Sequence, residues 1–219
     1  MEVKFWKQRW QENQTGFHLD QVNPYLEQFW PALQLTPNSH VFVPLCGKSI
    51  DLIWLEKSGY KVTGVECSQL AINAFFAENN LQFDTVHDQV LNTCIAGNIQ
   101  LLHGDFFDLQ RHDLAGVNAV YDRAALVALP PDMRQRYAQK LIDILPARTA
   151  MLLITLEYNQ ASMSGPPFSV PEIEVRSLYS HCYDIHRLQQ MDVLSAQPRF
   201  AQRGLDRLVE SVYLLQPKY

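Results

Sequence analysis

A chain of 219 residues, 47% hydrophobic and 19% charged, is long enough for one domain with a sizeable buried core. Its formal net charge of −5 at pH 7 speaks against nucleic acid as a partner, which calls for a basic face. No stretch has the length and apolar content of a membrane span, and MEVKFWKQRWQENQ has no apolar signal core, so a cytoplasmic protein with no membrane partner is expected.

The N-terminal segment, Glu2 to His18, crowds Phe5, Trp6, Trp10 and Phe17 into a short polar stretch. Trp6 and Trp10 are spaced to share one helix face. Such a helix either docks its tryptophans in a groove of the core or closes as a lid over a flat ligand such as a purine, with Gly16 as hinge. Asn23-Pro24 opens a second amphipathic helix running through Trp30, where Pro31 imposes a kink or a break. Residues 1–36 are thus expected to form a helical cover, and residues 37–219 the core of the same domain.

The core opens with VFVPLCGKSIDLIWLEKSGYKVTGVECS, Val41 to Ser68. Val41-Phe42-Val43 suits a parallel strand buried on both faces, and Pro44 to Lys48 a tight loop. Ser49 to Ser58 reads as a helix, with Ser49 as cap, Asp51 in its first turn and Gly59 at its stop. Lys61 to Val65 is a second strand, ending in Glu66. The result is a βαβ unit with an acid about twenty residues after its loop, where nucleotide-binding α/β folds take ribose hydroxyls. The loop has a single glycine rather than the several of G-x-G-x-x-G, which suits a nucleoside cofactor without phosphates, such as S-adenosylmethionine, better than a dinucleotide. The plainer alternative is an ordinary βαβ unit in which Glu66 is a solvated strand-end acid.

Beyond it, Ser68 caps a helix to about Asn79, with Leu70, Ile72, Phe75 and Phe76 inward. Phe83 to His87 and Leu91 to Ile95 read as a local hairpin. Ile99 to His103, after the turn Ala96-Gly97-Asn98, reads as the third strand of the main sheet. In GDFFDL, Asp105 is placed to accept from a purine amino group, and Phe106 to supply a backbone N–H and an apolar wall; the alternative is a turn with one core phenylalanine. Val117 to Tyr121 is the fourth strand. It delivers Asp122-Arg123 to the carboxyl edge of the sheet, where α/β ligands bind, with a helix from Ala124 to Leu129 beyond. Arg123 is expected to be partly buried and held by a carboxylate, Asp122 or a neighbour. There follow a helix to Leu145, a fifth strand (Thr149 to Leu156) and a stiff proline-rich loop (Tyr158 to Pro171) at the same edge. A helix from Glu172 to Tyr179 and an antiparallel pair, Ile185 to Met191 and Val209 to Leu215, complete the chain. Cys46, Cys67, Cys94 and Cys182 are scattered, form no Cys-x-x-Cys pair and read as buried thiols; no metal site is expected.

FVPLCGK, GVECS, the Trp-x-x-x-Trp helix followed by Phe17-His18, YDRAALVAL and SGPPFSVP occur in order between Phe5 and about Pro217, and together they resemble the thiopurine S-methyltransferase family. The resemblance implies the Rossmann-like α/β fold of class I methyltransferases: a seven-stranded, mostly parallel sheet with the last strand antiparallel and helices on both faces. It also implies S-adenosylmethionine as methyl donor and a small-molecule thiol as acceptor; a monomer is expected. Carried over motif by motif, Trp6, Trp10 and Phe17 correspond to the family's cover over cofactor and substrate, with Phe17 on the substrate side. Leu45 and Gly47 lie against the methionine part, Glu66 holds the ribose, and Asp105 and Phe106 fall at the adenine pocket. Arg123 matches an active-site arginine that serves both cofactor and catalysis. The resemblance extends to selenium and tellurium compounds as acceptors in bacterial relatives. Two other readings compete: a halide or thiol methyltransferase of the same fold, and a nucleoside-binding module without catalysis.

Overall fold

The computed structural model describes residues 3–88 and 90–218. Val41-Phe42-Val43 lies in β1 (His40–Val43), whose side chains divide between two faces with the strand period of two. Val41 and Val43 enter a core shared with α2 (Pro24–Phe29), α3 (Asp51–Lys57) and α4 (Gln69–Glu78), through Leu26, Leu52, Leu55, Ile72 and Phe75. Phe42 enters the opposite core, with α5 (Pro131–Ile144) and α6 (Glu172–Tyr179), through Tyr137, Leu141, Val175 and Tyr179. Cores on both faces explain why this strand is apolar throughout rather than alternating.

β1 lies between two parallel neighbours, β2 (Lys61–Glu66) and β6 (Val117–Arg123). β5 (Ile99–His103) runs parallel to β2, and β7 (Ala150–Glu157) parallel to β6. β9 (Val209–Pro217) is antiparallel to β7, and β8 (Tyr183–Asp192) closes that edge antiparallel to β9. At the other edge β3 (Asp84–Val86) and β4 (Asn92–Ala96) add to β5. The order is β3-β4-β5-β2-β1-β6-β7-β9-β8. The sheet therefore has nine strands among the described residues rather than seven. The expected local hairpin is continuous with the sheet, because β4 pairs with β5 along its whole length, through a turn at Gly97 with φ +57°.

Four local expectations are corrected. The helix after the first loop starts at Asp51, because Ser49 accepts the Asp51 N–H at 3.3 Å and closes a preceding turn instead of capping the helix. Leu70 is exposed, since α4 turns Ala71, Ile72, Phe75 and Phe76 inward. The helix expected from Ala124 to Leu129 is only a 3₁₀ turn, Leu126–Ala128; Ala124 has φ +69° and interrupts any helix there. The four cysteines are free, but only Cys46 and Cys94 are buried; Cys67 and Cys182 are partly exposed. No helix among the described residues is long and apolar enough to cross a membrane.

The chain leaves the carboxyl end of β1 toward β2, while the strand on β1's other side, β6, belongs to a later part of the chain. This reversal opens a crevice at the carboxyl ends of β1 and β6, the usual ligand position in open α/β sheets. The residues following these strands, 45–49 and Ala124, meet there, beneath α1 (Val3–Gln11).

Candidate active site

The loop after β1 is bent by two left-handed residues, Leu45 at φ +45° and Gly47 at φ +54°. A leucine in that region is strained and persists only where its surroundings hold it. They do: the Cys46 N–H donates to the Val65 carbonyl at 3.0 Å, and the Gly47 N–H to Glu66 Oε2 at 3.0 Å. The loop packs so close to β2 that a Cβ at Gly64 would lie 2.6 Å from Cys46 Sγ. Glu66 is 5% exposed, and its Oε1 accepts from the Ser68 N–H at 2.7 Å and the Cys67 thiol at 3.4 Å. Burial raises its pKa against the pull of these donors. Each carboxylate oxygen offers two acceptor positions; those of Oε1 are filled, and Oε2 retains one for a ribose hydroxyl.

Above the loop lies the cover. Trp10 stands over Gly47, its ring 3.1 Å from where a Cβ would be, so a side chain at 47 would displace it. Phe17 packs edge-on against both tryptophans, with ring centroids 5.7 Å from Trp6 and 5.5 Å from Trp10. Trp10 and Phe17 roof a cavity of about 30 Å³, walled by Leu45, Gly47, Lys48, Asp51, Tyr121 and Arg123. That is room for about one water, so in this conformation the tryptophan itself occupies the space above the loop.

Arg123 reaches the cavity because it shares the Tyr121 face of β6, two residues on. Asp122 points the other way. It is fully buried, accepts from the Tyr137 hydroxyl at 2.7 Å and the Leu126 N–H at 3.2 Å, and does not hold the arginine as expected. The alternation of strand side chains turns the two adjacent residues to opposite faces of the sheet. Its task is to brace the turn after β6. Through Val127, whose carbonyl accepts from Phe168 N at 2.6 Å, that turn also anchors the proline-rich loop. Glu210, on β9, is a carboxylate in electrostatic reach of Arg123, and it bonds Tyr25. Arg199 of α7 (Pro198–Gln202) lies in the same field and donates to the Gly16 carbonyl, tying the C-terminal region to the end of the cover.

Of the residues singled out from sequence, Trp10, Phe17, Leu45, Gly47 and Arg123 surround one cavity. Glu66 joins it through Gly47, and Trp6 through Phe17. Asp105 and Phe106 lie farther along the sheet edge. The Asp105 carboxylate takes the Phe107 N–H at 3.0 Å, and the Phe106 ring is buried 4.7 Å from Tyr137. His18, Lys48, Asp51 and Tyr121 line the cavity without having been singled out. Tyr121 was findable, since period two places it on the face of Arg123. Asp51 was hidden by its fit to an ordinary helix first turn.

The doubly wound sheet, the loop cradled on a strand-end acid and the aromatic cover define a class I methyltransferase that uses S-adenosylmethionine. The same fold is seen in a SAM-dependent methyltransferase from Anabaena variabilis (TM-score 0.66, 14% identity, 99% of this chain and 95% of that one). It recurs in the 1,6-didemethyltoxoflavin-N1-methyltransferase of Burkholderia thailandensis, solved with S-adenosylhomocysteine (TM-score 0.66, 14% identity, 99% and 87% covered). The chain belongs to the thiopurine S-methyltransferase family, whose pattern matches residues 1–218. It is 50% identical over 218 residues to the thiopurine S-methyltransferase of Nitrosospira multiformis, covering 100% of this chain and 99% of that one. To that of Pseudomonas paraeruginosa it is 51% identical over 216 residues, with 99% of each covered. It is thus an enzyme that transfers methyl groups to thiols.

Proposed function

We propose that the chain methylates the sulfur of aromatic and heterocyclic thiols, thiopurines among them, with selenium and tellurium compounds as further acceptors. In this reading it acts as a monomer in the cytoplasm, where its four free cysteines stay reduced. Residues 1–36 serve as the cover and the remainder as the core of one catalytic unit. The observation that carries the reading is the meeting of a cation, Arg123, with aromatic rings, Trp10 and Phe17, around one cavity on the cofactor loop. Rings suit a flat heterocycle and a guanidinium suits its thiolate. The name borne by relatives of half-identical sequence supports the same acceptor class.

S-adenosylmethionine supplies an already activated methyl group, so the protein's work is alignment and exclusion of water. Glu66 binds the ribose and fixes Gly47 beneath the methionine part, with Leu45 beside it. Trp6 and Trp10 close the cover, Phe17 faces the acceptor, and Asp105-Phe106 border the adenine. Arg123 favours the acceptor's anionic form. His18, held neutral by burial and by the nearby Lys48, is available to take the thiol proton. A methyl-transfer screen with labelled cofactor against thiopurines, aliphatic thiols, hydrogen selenide and halides tests the proposal. Aromatic thiols should give the highest kcat/KM. Faster turnover of halide or hydrosulfide would replace this reading with a halide or thiol methyltransferase, and cofactor binding without transfer would replace it with a binding module.

A further inference from the structure

Asp51 forms part of the cavity wall and is 1% exposed. Its Oδ1 accepts the Asn23 N–H at 2.8 Å, and its Oδ2 the Tyr121 hydroxyl at 3.0 Å. Burial, and then Asp51 itself, push the Tyr121 pKa well up, so the phenol keeps its proton and donates. Both oxygens thus accept from neutral donors. Among the described residues Asp51 has no ion-pair partner. The other charged side chains in the wall, Lys48 and Arg123, are cations. Lys48 has its own carboxylate, Glu78, at 2.5 Å. A buried carboxylate with no cation paired directly to it is costly to maintain, and costs least where a cationic ligand completes it.

We propose that Asp51 is the counter-charge for the cofactor's sulfonium and thereby sets the preference of the site for S-adenosylmethionine over the product S-adenosylhomocysteine. The proposal rests on the reading of this cavity as the cofactor site. Transfer breaks the methyl–sulfonium bond, leaves its electron pair on the cofactor sulfur and uses a pair of the thiolate to form the new sulfur–methyl bond. One positive and one negative charge disappear together. The carboxylate then faces a neutral thioether, and its attraction for the bound cofactor is lost. Asp51 cannot turn to Arg123 instead, because Asn23 and Tyr121 fix both of its oxygens. It is a positioning and specificity residue, and its effect belongs to cofactor binding.

Calorimetric titration of wild type and Asp51→Asn with each cofactor form tests this. Affinity for S-adenosylmethionine should fall about tenfold or more, the scale of one close charge pair at intermediate dielectric, and that for S-adenosylhomocysteine less than about twofold. Equal losses for both would overturn the proposal and make Asp51 structural. Tyr121→Phe keeps the charge and removes a donor, so it should shift both affinities alike; if it alters their ratio as Asp51→Asn does, charge is not the cause. Should Asp51→Asn fail to fold, the wild type decides with an analogue carrying an amine in place of the sulfonium. Above the amine's own pKa, binding should take up a proton, and binding in the neutral form would overturn the proposal. A wild type that binds neither cofactor form would instead sink the cofactor-site reading.

Discussion

Glu66 accepts the N–H of Gly47 on one oxygen and that of Ser68 on the other, so the acid proposed for the ribose also shapes the loop. Glu66→Gln puts an NH₂ group where one of these N–H donors already points. We expect S-adenosylmethionine affinity to drop by about 1–3 kcal/mol, the scale of a charge-assisted hydrogen bond; unchanged affinity in a folded variant would remove the ribose role. Arg123 poses a different problem, since a cation beside a sulfonium is unfavourable and its partner should be the acceptor. Arg123→Ala should lower kcat/KM for thiols, and the loss should shrink as pH rises and the thiol ionises unaided. Arg123→Lys keeps the charge without the planar fork and should retain part of the activity. Cofactor affinity is the control. A pH-independent loss that also abolishes cofactor binding would make Arg123 a cofactor-side or structural residue.

At the scale of elements, α1 is the piece whose contacts explain its composition. Trp10 lies against Gly47, Phe17 bridges the two tryptophans, and Arg199 clasps the chain at Gly16. A segment held by these contacts is a docked helix, and the lid proposed for it would close through the same contacts. Removing the residues before Phe17 should leave a folded sheet but abolish most methyl transfer; a truncated protein with normal turnover and cofactor affinity would reduce the segment to packing. The helix was legible because the spacing of Trp6 and Trp10 is local information, as were the loop glycine and the strand-end acid. Arg199 and Glu210 were not legible. They come from the C-terminal region, and only the pairing of β9 with β7 brings Glu210 to the edge where Arg123 emerges. The pair β3–β4 was recognised as strands but not as part of the sheet, since alternation says what a strand buries and not which edge it joins.

For the molecule as a whole, the active-site edge is tied to the core by one buried acid. Asp122 holds Tyr137 of α5, the turn containing Leu126 and, through that turn, the proline-rich loop. Burial pushes its pKa up to about 6, outweighing the hydrogen bonds from Tyr137 and from the Leu126 and Ala125 N–H groups. In the unfolded chain an aspartate titrates near 4. Between these values the native state holds more proton than the unfolded state, so stability falls as pH rises from about 4 to about 6 and is flat in this contribution above that. The contribution is on the order of 2–3 kcal/mol. Glu66 and Glu210 are also raised by burial and add slope of the same sign, so only a difference isolates Asp122. Asp122→Asn keeps one acceptor for Tyr137 and removes the titration. Denaturant unfolding of both proteins at pH 4, 5, 6 and 7 should show wild type losing its margin over the variant across the interval from pH 4 to 6, then running parallel to it. A constant difference across the whole range would mean that Asp122 does not change its protonation on folding, and that its role is hydrogen bonding alone.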